Sequence, residues 1–360
     1  MVKTFHNFNR LPVPTWSWLK INSTSFEVEE QGGRGYEKEV RLILPPGVKA
    51  QKGFYPIETK EVLEQMPENY EFAAQHHNNA WQITIPEGLV ADEPIIVDYT
   101  LDENNNYLVD YIHIKAEKDS NVTVMIRYAG QGEEELFHFG LTLIEAEESA
   151  KVKLIKAQFL PENALHVDGV LASCKKAAVV DVLLGEMGSQ KSISSCHVSL
   201  LEAQSSGRID GIYLGKNQKD MDMNYRIAFA GQETEGHILV KGALGGSARK
   251  TLKSTIDFIS GASGAQGSEE ETVLALSDKV VNRSAPLLLC GEEDVMGSHA
   301  TSTGRPDPRK LFYLLNRGFT EKEARRLLVE ASFAPILGKV ESDEIKQEMI
   351  QYIGAIVYEE

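Results

Sequence analysis

Residues 209–259, IDGIYLGKNQKDMDMNYRIAFAGQETEGHILVKGALGGSARKTLKSTIDFI, decide the fold. They hold four short apolar or alternating segments, 209–214, 227–230, 238–240 and 256–259, separated by Gly, Asn and Asp. Each segment is too short for a helix and suits a strand. Gly245-Gly246 supplies a place where the backbone must bend tightly or pack closely. The same pattern runs upstream through 179–184, 152–155, 141–144, 122–126 and 111–114, and 81–85 alternates as a strand. Pro161 and Pro286 are the only prolines between Pro94 and Ser302, which suggests regular backbone pairing throughout. The segment spacing is irregular but often near one solenoid turn. A sandwich or barrel would give similar short strands, so the strands alone leave the topology open.

Downstream the period changes. Residues 287–290 form a short apolar run, and Gly291-Glu292-Glu293-Asp294 ends it with an acidic turn. Asp307-Pro308 offers an N-cap followed by Pro at the first helical position, so a helix is expected from Pro308 to Gly318 with Leu311, Leu314 and Leu315 on one face. Thr320 and Glu323 have capping-box spacing, and the next helix is expected to pack against the first through Ala324, Leu327, Leu328 and Ala331, with Arg325 and Arg326 outward. Ser342 is placed to cap a last helix carrying Ile345, Met349, Ile350 and Ile353. Residues 58–68 and 70–77 read as helix or loop around Pro67.

Three stretches carry a resemblance. EEDVMGSHATSTG (292–304), LFYLLNRG (311–318) and EARRLL (323–328) form a close and ordered match to the SufB/SufD family of iron–sulfur cluster assembly proteins. NRLPVPTWSWLK (9–20) is similar to the start of SufD-type members, and GRIDG (207–211) to the family's recurring turn and strand. The resemblance implies a mainly β chain: a right-handed parallel β-helix core at 95–300, a mixed N-terminal region at 1–94 and a C-terminal helical region at 301–360. It implies a non-catalytic scaffold subunit that pairs through the β-helix with a SufB-type chain or with itself. It also implies docking of the separate SufC-type ABC ATPase through Leu311, Phe312, Leu315, Arg317, Arg325 and Arg326. The handled group would be a transient iron–sulfur cluster or iron. His299 falls on the histidine of the family's SH motif, which SufD-type members place at the interface with the SufB-type subunit. SufB-type members have glutamate there and a cluster-associated cysteine upstream, and this chain has no cysteine between Cys196 and Cys290. The chain therefore resembles SufD-type members more, with Cys290 as an unmatched extra.

Composition sets independent bounds. The chain has 360 residues, 42% hydrophobic and 25% charged, enough for a substantial core. A net charge of −16 argues against broad nucleic-acid binding, which needs concentrated Lys and Arg. No segment approaches the length of a membrane span. MVKTFHNFNRLP has no apolar stretch of a secretory signal, so a cytoplasmic location is expected. Cys174, Cys196 and Cys290 are too few and too scattered for a disulfide framework.

Thiolate and imidazole are the side chains suited to iron or a nascent cluster. Cys290 and His299 lie across the acidic turn, where adjacent β-helix turns could bring them together; without the resemblance, Cys290 reads as a buried small hydrophobe after Leu287-Leu288-Leu289. Cys196-His197 points to opposite strand faces, giving a core cysteine and a surface histidine. His76-His77 reads as a polar turn, and Cys174 as a small buried residue beside solvated Lys175-Lys176. GGSARKT (245–251) lacks the glycine that must precede Lys-Thr in a phosphate loop. Asp220, Asp222, Glu233 and Glu235 are candidate acids for the alternative of a β-helix enzyme acting on a polymer. A metal-free structural homo-oligomer is the third reading.

Overall fold

The computed structural model describes residues 2–29, 36–56 and 65–358; of the segment expected at 58–68, residues 58–64 lie outside these. The short apolar segments are strands of two nine-stranded sheets. One sheet starts at Arg41–Ile43 and Ile95–Leu101 and ends at Ala265–Ala275 and Val295–Gly304. The other starts at Lys49–Lys52 and Asn79–Ile85 and ends at Arg249–Phe258 and Val281–Cys290. The chain alternates between the sheets, and from the second strand of each onward every pairing is parallel and in register. The result is a β-solenoid of about eight turns, the architecture that the resemblance implies. Its parallel ladder begins at Asn79, upstream of the expected start at 95.

Registry makes the core. Val124, Leu154, Val182, Ile209 and Ile238 are stacked in one inward column, all essentially inaccessible to solvent. Each layer buries apolar surface against the next, the energetic reason a stacked repeat holds together. The corners are set by a ladder of their own. Asp119, Ser149, Ala177, Gln204 and Glu233 all have left-handed backbone, φ 53–62°. Their amides donate to carbonyls of the following turn, at Glu148, Lys176, Ala203, Gln232 and Ser263. Those hydrogen bonds offset a conformation that L-residues otherwise avoid.

The outer faces are covered. The antiparallel hairpin Val2–Phe8/Thr24–Glu29 and α1 (Pro67–His76) lie over the second sheet, where Phe5, Phe8, Phe26 and Phe72 pack on Phe139. At the other end of the chain come α2 (Pro308–Asn316), α3 (Glu321–Leu337) and α4 (Asp343–Tyr358). Helices α3 and α4 cover the first sheet, with Val329, Phe333, Ile336, Met349 and Ile353 against Ile155, Leu183 and Ile212. The caps are as expected: Asp307 accepts from the Arg309 amide at 2.8 Å, Thr320 and Glu323 form a capping box, and Ser342 accepts from the Ile345 amide at 3.2 Å. The expected stripe of α3 is corrected, because Leu327 and Ala331 are exposed. The sheet, not α2, claims the helix's buried face, since a wide apolar sheet offers more surface than a nine-residue helix. Helix α2 itself buries no residue.

Candidate functional site

The inward column changes chemistry at the last two turns. Ile238 is followed in register by Glu269 and then by His299, and Val240 by Glu271 and then Thr301. Glu271 is fully buried and accepts from Lys250, from Tyr213 Oη at 3.0 Å and from Ser284 Oγ at 2.5 Å. Glu269 is also buried, with Ser254 as its hydrogen-bond neighbour. Burial pushes its carboxyl up to about 7, with the Glu271 charge adding to the effect. His299 stands on the same inward column but is exposed, because no further turn among the described residues covers it. The solenoid thus ends in an open mouth with an imidazole at the rim and a buried carboxyl one layer below.

Cys290 ends the last strand of the other sheet and is exposed, whereas Cys174 and Cys196 are buried. The reading of Cys290 as a buried hydrophobe is therefore corrected: with no strand beyond it among the described residues, its neighbourhood is open. Cys290 and His299 belong to opposite sheets of one turn rather than to adjacent turns. Residues 291–294 return the chain, and His299 lies four residues into its strand, about 13 Å along it at ~3.3 Å per residue. Among the described residues no three His, Cys, Asp or Glu side chains converge into a metal-binding group.

Beyond the mouth, α2 presents Phe312 (68% exposed), Tyr313 and Leu315 to solvent, while Leu311 is half-buried at the edge of a groove of about 1320 Å³. Arg317 stacks its guanidinium on Tyr313, 5.1 Å from the ring centre. Arg325 bonds Glu321 at 2.8 Å and Arg326 bonds Glu330 at 2.6 Å. Of the six residues expected to bind a partner, Phe312, Leu315 and Arg317 are exposed and Leu311, Arg325 and Arg326 half-buried, with Arg326 beside Gly354 of α4. On the groove's floor Lys219 is buried, and burial lowers its ammonium to about 7.

Several groups escaped the sequence reading. Inside the solenoid Asp110 accepts from His138 Nε2 at 2.6 Å, and His138 Nδ1 meets His166 Nδ1 at 2.7 Å, so one ring donates to the other. Burial holds His166 well below the usual histidine range, with His138 adding to the effect. Lys156 donates to Asp168 at 2.7 Å, and burial raises that carboxyl to about 6 against the pull of Lys156. The available signal was spacing: His138 and His166 are 28 residues apart, one turn. His197 is not a surface residue; it is buried beneath the N-terminal segment. His76-His77 closes α1, with the His76 ring against Phe72 and the His77 amide bonded to the Ala73 carbonyl. Three of the four candidate acids are engaged separately: Asp222 is bound by Lys253 and Asn9, Glu235 by His237, and Glu233 by Gln204.

The helices of the described residues are none of them long and apolar enough to cross a membrane. Comparison with known proteins matches residues 99–332 to the family model for the SufBD core domain of the SUF system of FeS cluster assembly. The iron–sulfur cluster assembly protein SufD of Bacillus subtilis is 26% identical over 271 residues, 75% of this chain. The chain spans 62% of that relative's length. An iron–sulfur cluster assembly SufBD family protein of Mycobacterium tuberculosis is 23% identical over 280 residues, 76% of this chain and 70% of the relative. An open-ended β-solenoid with helical flanks, matched by that model over most of its length, places this chain in the SufBD family of the SUF iron–sulfur cluster assembly system.

Proposed function

We propose that the chain is a SufD-type scaffold subunit whose open solenoid end pairs, edge to edge, with a SufB-type chain or a second copy. The observation that carries this reading is the last strand, Val295–Gly304. It is an exposed ten-residue edge with no Asp, Glu, Lys or Arg, and soluble proteins rarely leave such an edge unprotected. Strand addition would pair its free backbone groups. His299 would then be enclosed at the seam and supply one neutral donor to iron or a nascent cluster, which is cargo here. The remaining donors would come from across the seam, with Cys290 a further thiol at its border. The apolar flank of α2 and the arginines of α3 would dock a SufC-type ABC ATPase, making nucleotide hydrolysis a partner's task.

The test is co-purification with SufB-type and SufC-type partners. Ser298→Lys with Ala300→Lys places two charges on the edge and is expected to abolish pairing while ATPase capture persists. Phe312→Asp with Leu315→Asp is expected to do the reverse. Cys290 should react with iodoacetamide in the isolated chain and be protected in the complex, with Cys174 and Cys196 slow in both because burial raises their thiols. Pairing that survives the lysine substitutions removes the edge reading.

A further inference from the structure

A second cavity, of about 670 Å³, lies between residues 9–12, the start of α1 and the outward face of the second sheet. On the strands Lys191–Leu200 and Asp220–Phe229, His197 and Arg226 are register neighbours lining it. His197 is 6% exposed, and neither ring nitrogen has a hydrogen-bond partner. Arg226 spends one nitrogen on Asp257, and its Nε has no partner. Asn69 Nδ2 lacks an acceptor. Gln65 Oε1 and Asn224 Oδ1 lack donors, although the same side chains donate to Ser199 Oγ at 2.7 Å and the Arg10 carbonyl at 2.8 Å.

Six buried polar side-chain atoms without a hydrogen-bond partner therefore belong to residues that line this one cavity. Proteins normally leave only a few such atoms, so a cluster of them reads as a site awaiting a ligand. Helix α1 begins here without a side-chain cap, turning its positive end toward the same space. The ion pair of Arg10 with Glu68 joins the N-terminal segment to that helix at the cavity.

The unmet groups specify a ligand. Arg226 Nε, Asn69 Nδ2 and the helix start ask for an anionic acceptor, and Gln65 and Asn224 ask for donors beside it. We propose that this cavity binds a small carboxylate bearing a neighbouring hydroxyl or amino group, a hydroxy acid or an amino acid. Its carboxylate lies against Arg226, Asn69 and the start of α1. Its hydroxyl or amino group donates to Asn224 and Gln65, and His197 bonds whichever polar atom faces it.

The test is calorimetry and thermal unfolding of the full chain with glycolate, glycine, acetate and inorganic phosphate as separate probes. Glycolate or glycine is expected to bind and raise Tm, with acetate about tenfold weaker because it cannot satisfy the carbonyl oxygens. Arg226→Gln is expected to abolish binding. His197→Phe, which fills the space with an apolar ring, is expected to abolish binding while keeping or raising the Tm of the free chain, so it remains informative if Arg226→Gln fails to fold. Acetate binding as well as the others, phosphate binding alone, binding unchanged in His197→Phe, or no probe binding at all would each overturn the proposal.

Discussion

The two ends of the solenoid are built to opposite rules. At the start, Arg41–Ile43 and Lys49–Lys52 run antiparallel to the first parallel strands and close both sheets. They are three and four residues long, carry Arg41, Lys49 and Lys52, and are joined through Pro45-Pro46-Gly47. Short, charged, proline-flanked edges are how soluble sheets refuse further pairing. At the finish, two ten-residue strands end the sheets with nothing beyond them among the described residues, and the outermost has no formal charge. One end is capped and the other is an uncapped edge, and at the uncapped end the inward column carries Glu269 and Glu271, with the exposed His299 at its rim.

The contrast fails if the open end is merely frayed, and Lys250→Met asks that most directly. It leaves Glu271 buried without its cation, so a loss of about 3–5 kcal/mol in urea unfolding is expected. A loss below about 1 kcal/mol, the scale of an exposed pair, would mean that the last turns are already loose. The closed end is probed by Tyr36→Phe. The Tyr36 hydroxyl bonds both the carbonyl and the amide of Thr100, at 2.9 and 3.1 Å, and its loss is expected to cost about 1–3 kcal/mol by the same measurement. No change would mean that the segment leading into the cap contributes nothing.

A smaller effect sharpens the cap by pH. Lys38 donates to Asp102 at 2.7 Å, and with Asn105 it holds that carboxyl down at about 2. A depressed carboxyl contributes stability above its ordinary value near 4, lost as pH falls through about 2. Asp102→Asn should therefore cost under about 1 kcal/mol at pH 7, since the pair is partly exposed, and the gap to the parent chain should close on acidification. A gap that persists at pH 2 would assign the loss to Asn105 geometry instead. The smallest effect belongs to the open edge. Ser298→Lys with Ala300→Lys should change the stability of the isolated chain by no more than about 0.5 kcal/mol, because both positions face solvent. A larger loss would mean that the edge supports the fold itself.

Period and punctuation in the chain announced the strands, the three helix caps and the final helix, because each rests on local chemistry: alternation on a pleat, a hydroxyl or carboxylate at a helix start, proline where no amide is needed. The motif 292–304 announced the family. The corners were illegible, since Asp119, Ser149, Ala177, Gln204 and Glu233 share no residue type and are held left-handed by hydrogen bonds from the next turn. So was the fate of α3, whose Leu327 and Ala331 were left outward while Val329, Phe333 and Ile336 took the sheet beside Ala324, which is buried as expected. Which polar residues would be entombed was equally a tertiary decision: His138 and His166, Lys250 and Glu271, His197 and Arg226 each meet only because a turn of the coil sets distant residues in register. Local sequence determined what each segment could be; stacking determined which side chains would be sealed from water and which strand would be left without a neighbour, because burial and edge exposure belong to the whole coil and to no segment of it.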